Sequence, residues 1–230
     1  MAVLSLERAS LTVRLARSED VPQFTEITSD EARRSLATAS YVDEPLERWE
    51  RAYQEHHRSM PWLVATDSSR PEGQEVLGYA KASPYNVRDG FRWSVELSVY
   101  VRHEVKGRRI GEKLYQALFR LLAIQGYRRV YARIALPNPA SIRLHERFGL
   151  VQTGTLPAFA WKFGNWYDMA IYTGLIYVDQ RGASEAQGGS LLSEAHSAPP
   201  LDEVMSVERA WELYAEESST QDAVSSSRGS

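Results

Sequence analysis

The sequence predicts an α/β fold. Segments of strand period and helix period alternate along one chain, a bend rich in glycine and arginine opens a leucine-bearing helix, and the composition is that of an ordinary soluble domain. Of 230 residues, 43% are hydrophobic and 25% charged, which is ample for one core.

Taken in order, Thr12 to Ala16 read as a strand, and Ser18 reads as the N-cap of a helix with Glu19 and Asp20 in its first turn. Pro45 starts a second helix that runs to about His57. Trp62 to Thr66 and Val76 to Ala82 are two strands joined by a polar loop. Residues 93 to 149 then give strand, basic turn, helix, strand and short helix. In the first of these, Trp93, Val95, Leu97, Val99 and Val101 alternate with Ser94, Glu96, Ser98 and Tyr100, so Glu96 belongs to the polar face.

The turn Lys106-Gly107-Arg108-Arg109-Ile110-Gly111 leads into a helix with Leu114, Leu118, Leu121 and Leu122 at helical spacing. Free backbone N–H groups at a helix start, with the positive end of its dipole, attract phosphates, and the basic side chains add to this. The turn is not a Walker A loop, because Glu112-Lys113 follows Gly111 where Lys-Ser/Thr is required. Nor is it a nucleic-acid tract: the basic run is short, and the helix behind it is amphipathic core. Further on, Pro139 starts a short helix on which Ser141 and His145, four residues apart, share a face.

Zero cysteine excludes disulfides, zinc–thiolate sites and a cysteine nucleophile, and five scattered histidines make no metal-ligand spacing. No Gly-x-Ser-x-Gly turn is present. There is no apolar run near the ~18 residues of a membrane span, and Met1 to Ser10 lacks the layout of a secretion signal. The expectation is a cytoplasmic protein without metal, nucleic acid or membrane.

The stretches Trp93 to Glu96, Ser98 to Val101, Lys106 to Gly111, Leu136-Pro137-Asn138, Ser141 with Leu144-His145-Glu146, Thr153 to Leu156, and Lys162-Phe163-Gly164 with Trp166 and Asp168 occur in one order. Together they resemble the GNAT superfamily of N-acetyltransferases, and within it the phosphinothricin acetyltransferase group. The resemblance covers about residues 11 to 176. It implies a mixed, mostly antiparallel twisted sheet, flanked by helices and splayed at the acetyl-CoA-binding strand. It further implies direct transfer of an acetyl group from acetyl-CoA to a primary amine, with no metal and no covalent intermediate.

By the same resemblance, Glu96 takes the position of the general base. A free glutamate titrates near ~4.3, so burial among Trp93, Tyr100 and Phe91, or a water relay, is expected. His145 takes the position that protonates the leaving thiolate. The backbone of Val99, Tyr100 and Val101 is expected to pair with the pantetheine arm, and Lys106, Gly107, Arg108, Arg109, Ile110, Gly111 and Glu112 to hold the diphosphate. Tyr115, Asn138 and Ser141 complete the cofactor side. Tyr41, Arg88, Phe91 and Ser98 are the acceptor-side candidates.

Three departures from that pattern stand out. Arg109 replaces a glycine of the phosphate loop, where a left-handed residue disfavours a Cβ: either the turn there is right-handed, the favoured reading because added positive charge suits a diphosphate, or cofactor binding is impaired. Asn86 stands where the herbicide-resistance enzymes carry lysine, and Arg133 where they carry valine, so the positive charge of the acceptor pocket has moved. The acceptor is expected to be a small amino-acid-like amine, such as phosphinothricin or methionine sulfoximine. A protein or peptide N-acetyltransferase and a non-catalytic acyl-CoA-binding module are the alternatives. A homodimer is left open, since nothing in the sequence demands one.

Residues 11–178 form the catalytic domain in this reading, and 179–230 a tail holding three arginines against ten carboxylates. Composition predicts a mostly disordered tail, within which Val204, Val207, Trp211 and Tyr214 suggest a short amphipathic helix at 201–215.

Overall fold

The computed structural model describes residues 11–41, 43–176 and 203–227. Seven strands form one sheet: β1 Leu11–Leu15, β2 Trp62–Asp67, β3 Val76–Pro84, β4 Ser94–Val101, β5 Arg129–Ala135, β6 Val151–Lys162 and β7 Asn165–Leu175. Their order across the sheet is β1-β2-β3-β4-β5-β7-β6. Only the β4–β5 pair is parallel; all other neighbours are antiparallel. This is the mixed, mostly antiparallel sheet expected.

Helices α1 Val21–Arg34 and α2 Leu46–His56 cover one face, and α3 Ile110–Gln125 covers the other; α4 Pro139–Arg147 follows β5. The period-two alternation of β2 explains both layers. Leu63 and Ala65 enter the core beneath α3, whereas Trp62 and Val64 enter the aromatic core of Phe24, Trp49 and Tyr79 beneath α1 and α2. Leu114, Leu118, Leu121 and Leu122 are fully buried along the inner side of α3.

Two boundaries differ from expectation. Ser18 does not cap α1; residues 18–20 form a 3-10 turn, and helix α1 begins at Val21. Asp20, at the N-cap of α1, makes no side-chain cap to it and instead closes the preceding turn: its carboxylate accepts from Arg17 N at 2.7 Å and from both terminal nitrogens of Arg14 at 2.7 and 2.8 Å. A carboxylate offers more acceptor sites than a hydroxyl and also pairs with the arginine.

The tail differs more. Residues 177–202 lie outside the described residues, but helix α5 Val207–Ser227 docks on α3. It therefore runs past the expected 201–215 segment. Val207 and Ala210 are buried, and Trp211 and Tyr214 pack against the same core. Polar contacts fix the approach: Met205 N donates to Gln125 O at 3.0 Å, Gln125 Nε2 donates to Met205 O at 2.8 Å, Val207 N donates to Arg58 O at 3.0 Å, and Arg120 Nε donates to Glu217 at 2.8 Å. The acidic composition concealed this because the apolar stripe is narrow, and its partner surface is assembled only when α3 folds.

Candidate active site

The β4–β5 ladder lasts for three positions, Ser94–Glu96 against Arg129–Tyr131, and then ends. From Leu97 onward β4 pairs only with β3 on its other side, through Val101 opposite Gly78. A slot opens where the two strands part. It leads into a cavity of about 460 Å³ lined by β4 residues 96–100, by Tyr115 of α3, by Ser141 and His145 of α4, by Arg133 and Ala135 of β5, by the loop 36–40, and by Ala160, Lys162, Tyr167 and Met169 of the β6–β7 hairpin.

At one end of the slot lies the basic turn. Gly107 has φ 84°, a value that favours glycine. Arg109 corrects the expectation of a right-handed turn: it is left-handed, with φ 59° and ψ 22°, and forms the N-cap of α3. A lone arginine holds this conformation because its carbonyl opens the helix, accepting from Lys113 N at 3.1 Å. No side chain caps the first turn of α3. Its N–H groups are thus available to an anion, which fits a diphosphate. Gly111 packs closely on α4: a Cβ there would stand 3.3 Å from Leu144 Cδ2. Ile110 is buried in the core, Glu112 pairs with Arg147 of α4, and Lys106 pairs with Glu31.

Replacing Arg109 by glycine tests the strain directly. Relief of the left-handed Cβ, offset by glycine's greater unfolded-state entropy, is expected to stabilise the fold by up to about 1 kcal/mol. Loss of the cation is expected to weaken acetyl-CoA binding, measured by calorimetry beside thermal melts.

On the other wall, His145 Nδ1 lies 2.7 Å from the backbone oxygen of Ser141. A carbonyl only accepts, so Nδ1 carries a proton, and in the neutral ring Nε2 accepts from the Tyr115 hydroxyl at 3.0 Å. His145 is 4% exposed, and burial lowers its pKa below the ordinary value. Burial also raises the Tyr115 phenol well above its usual range. Asn138 caps α4, its Oδ1 accepting from Ser141 N at 3.1 Å, and so orients the histidine's own turn.

The lowered pKa of His145 has a sign. The native state prefers the neutral ring, so this contribution is complete above pH ~6.5 and is lost as pH falls through the lower native value. Thermal melts between about pH 5 and 7.5 are expected to show a smaller acid loss in His145→Phe than in the unchanged protein.

Glu96 leaves β4 on the side toward the slot and lines the cavity. Its side chain is about one-quarter exposed, and one oxygen, Oε1, accepts from Arg133 Nε at 3.0 Å and lies 2.9 Å from Arg133 Nη2. The cause is register: Glu96 faces Tyr131, and Arg133 follows two residues later on the same face of β5. Both contacts fall on the same oxygen, Oε1.

The loop between α1 and α2 forms one wall of the cavity. Lys162, 2% exposed, donates from Nζ to Ser35 O and Thr38 O, both at 2.7 Å. Burial lowers its pKa, with Glu31 acting against the shift. Tyr100 Oη donates to Ala37 O at 3.3 Å, and burial pushes that phenol up to about 12. Glu31, 3% exposed, accepts from Ser35 Oγ at 2.6 Å while pairing with Lys106. One buried carboxylate therefore joins the phosphate turn to the acceptor loop.

Of the acceptor candidates, only Ser98 lines this cavity. Tyr41 is exposed, Arg88 precedes an exposed 3-10 turn, and Phe91 packs on Tyr85 with ring centres 5.3 Å apart. Lys162, the 36–40 loop, Tyr167 and Met169 received no role from the sequence. Lys162 sits between Trp161 and Phe163, and an alternation of aromatics with one lysine does not reveal which phase points inward.

Residues 22–150 match the family model described as the acetyltransferase (GNAT) family. A phosphinothricin N-acetyltransferase of Streptomyces coelicolor is 40% identical over 173 residues, covering 71% of this chain and 95% of that protein. An L-methionine sulfoximine/L-methionine sulfone acetyltransferase of Pseudomonas aeruginosa is 36% identical over 161 residues, covering 70% and 91%. The crystal structure of a GNAT superfamily phosphinothricin acetyltransferase from Sinorhizobium meliloti in complex with AcCoA superposes with a TM-score of 0.70 at 28% identity, covering 84% of this chain and 95% of that one.

Proposed function

The chain belongs to the acetyltransferase (GNAT) family, and from that premise we propose that this acetyl-CoA-dependent N-acetyltransferase acts on the primary amine of a small amino-acid-like substrate, with Glu96 as general base. Relatives named for phosphinothricin and for methionine sulfoximine support the acceptor class. The observation that carries the reading is the parting of β4 from β5 directly beyond Glu96, beside the uncapped start of α3.

Acetyl-CoA supplies an acetyl group on a thioester whose sulfur is the leaving group. The free edge of β4 at Val99 to Val101 is suited to pairing with an amide-bearing arm, and the first turn of α3 to a diphosphate. Glu96, through the oxygen that Arg133 does not occupy, takes the amine proton by way of a water as the nitrogen bonds to the carbonyl carbon. As the carbon–sulfur bond breaks, His145, neutral at rest with Nε2 as acceptor, takes up a proton and passes it through the Tyr115 hydroxyl to the sulfur, which ends as the CoA thiol. Burial makes that imidazole the stronger acid toward a thiolate whose acid form titrates near ~8.5. Solvent carries the balancing proton from Glu96.

The 36–40 loop, fastened by Lys162 and Tyr100, favours a small acceptor over an extended peptide. Thiol release from acetyl-CoA is expected with phosphinothricin, methionine sulfoximine or another free amino acid, and not with peptides. Turnover with peptides alone would overturn the acceptor assignment.

A further inference from the structure

We propose that Arg133 selects the acceptor, by holding an acid group carried on the carbon next to the amine. This rests on the acetyltransferase reading of the same cavity and adds the residue that decides its specificity.

The charged side chains lining the cavity are Glu96, Arg133 and Lys162. Lys162 already gives two N–H groups to the carbonyls of Ser35 and Thr38. Arg133 is half exposed and meets Glu96 only through Nε and Nη2, both on the same oxygen. Among the described residues Nη1 has no hydrogen-bond partner, and Arg133 lines the cavity, so this planar five-donor group keeps donors for a ligand there. Arg88, the other guanidinium considered for this task, is not among the lining residues.

The pair has the charge layout of an amino acid in reverse. Glu96 offers a carboxylate and Arg133, 2.9 Å away, a guanidinium; an α-amino acid offers an ammonium and a carboxylate on one carbon. Docked antiparallel to the pair, the acceptor sets its amine at the base and its acid group on the fork of Arg133. An amine with no adjacent acid group leaves the fork unanswered, as does a peptide N-terminus, whose neighbouring carbonyl is neutral. The bidentate match of guanidinium to carboxylate or phosphinate is what lysine lacks.

The test uses the full chain and measures acetyl transfer to one α-amino acid and to its carboxamide. The unchanged protein is expected to prefer the acid. Arg133→Gln is expected to raise KM for the acid by roughly 10–100-fold and for the amide by less than about threefold, collapsing the preference. Arg133→Lys, which keeps the charge next to Glu96 but not the fork, is expected to recover only part of it. A role limited to steadying Glu96 would slow both acceptors alike, so an unchanged acid-to-amide ratio in Arg133→Gln overturns the proposal while leaving the acetyltransferase reading intact. Collapse of the ratio in Arg88→Gln instead also overturns it. Absence of turnover with any amine would overturn both.

Discussion

Glu96→Gln is expected to lower kcat by about 100-fold or more with acetyl-CoA and a free amino acid, and to leave acetyl-CoA affinity near its original value. Glutamine has the same shape and still offers an oxygen to Arg133, so the local geometry is kept while the proton acceptor is removed. Acetyl-CoA affinity is spared because the elements suited to hold it, the free edge of β4 and the first turn of α3, do not include the carboxylate. Steady-state rates beside calorimetric titration separate the two quantities. Equal turnover in the two proteins would remove Glu96 from the mechanism.

Ending the chain before Glu203 is expected to destabilise the domain by on the order of 3 kcal/mol or more, with a fall in Tm of roughly 6–12 °C. Without helix α5 the buried Val207 and Ala210 are lost, together with the cover that Trp211 and Tyr214 give to α3. Gln125, wholly buried, loses the Met205 oxygen, and Arg120 loses Glu217. None of the α5 residues lines the cavity, so turnover per folded molecule is expected to persist. Calorimetric melts of the two lengths decide it: coincident transitions would mean that the helix contributes nothing to the fold.

The strand and helix order was legible because each element carries its own period. β4 shows a two-residue alternation with Glu96 in the polar phase, and α3 shows leucines at helical spacing. The meeting of Ser141 and His145 on one face of α4 was legible for the same local reason. The partner of Glu96 was not. That Arg133 reaches Glu96 depends on the parallel register of two strands separated by α3, which neither segment encodes alone. The conformation of Arg109 was read the wrong way because steric preference was weighed without the demands of the helix start. The loop 36–40 stayed hidden because its residues are uncharged and mostly small, and their place is set by Lys162 from a distant part of the sequence.

The hairpin that delivers Lys162 begins at Val151, just past the last residue matched by the family model, whereas the slot and the phosphate turn lie wholly inside that match. The walls of the cavity are thus drawn from both sides of that boundary, with Arg133 and the 36–40 loop within it and Lys162, Tyr167 and Met169 beyond it. Substitutions in the β6–β7 hairpin can therefore reshape one wall of the cavity while the parted strands and the basic turn keep their geometry.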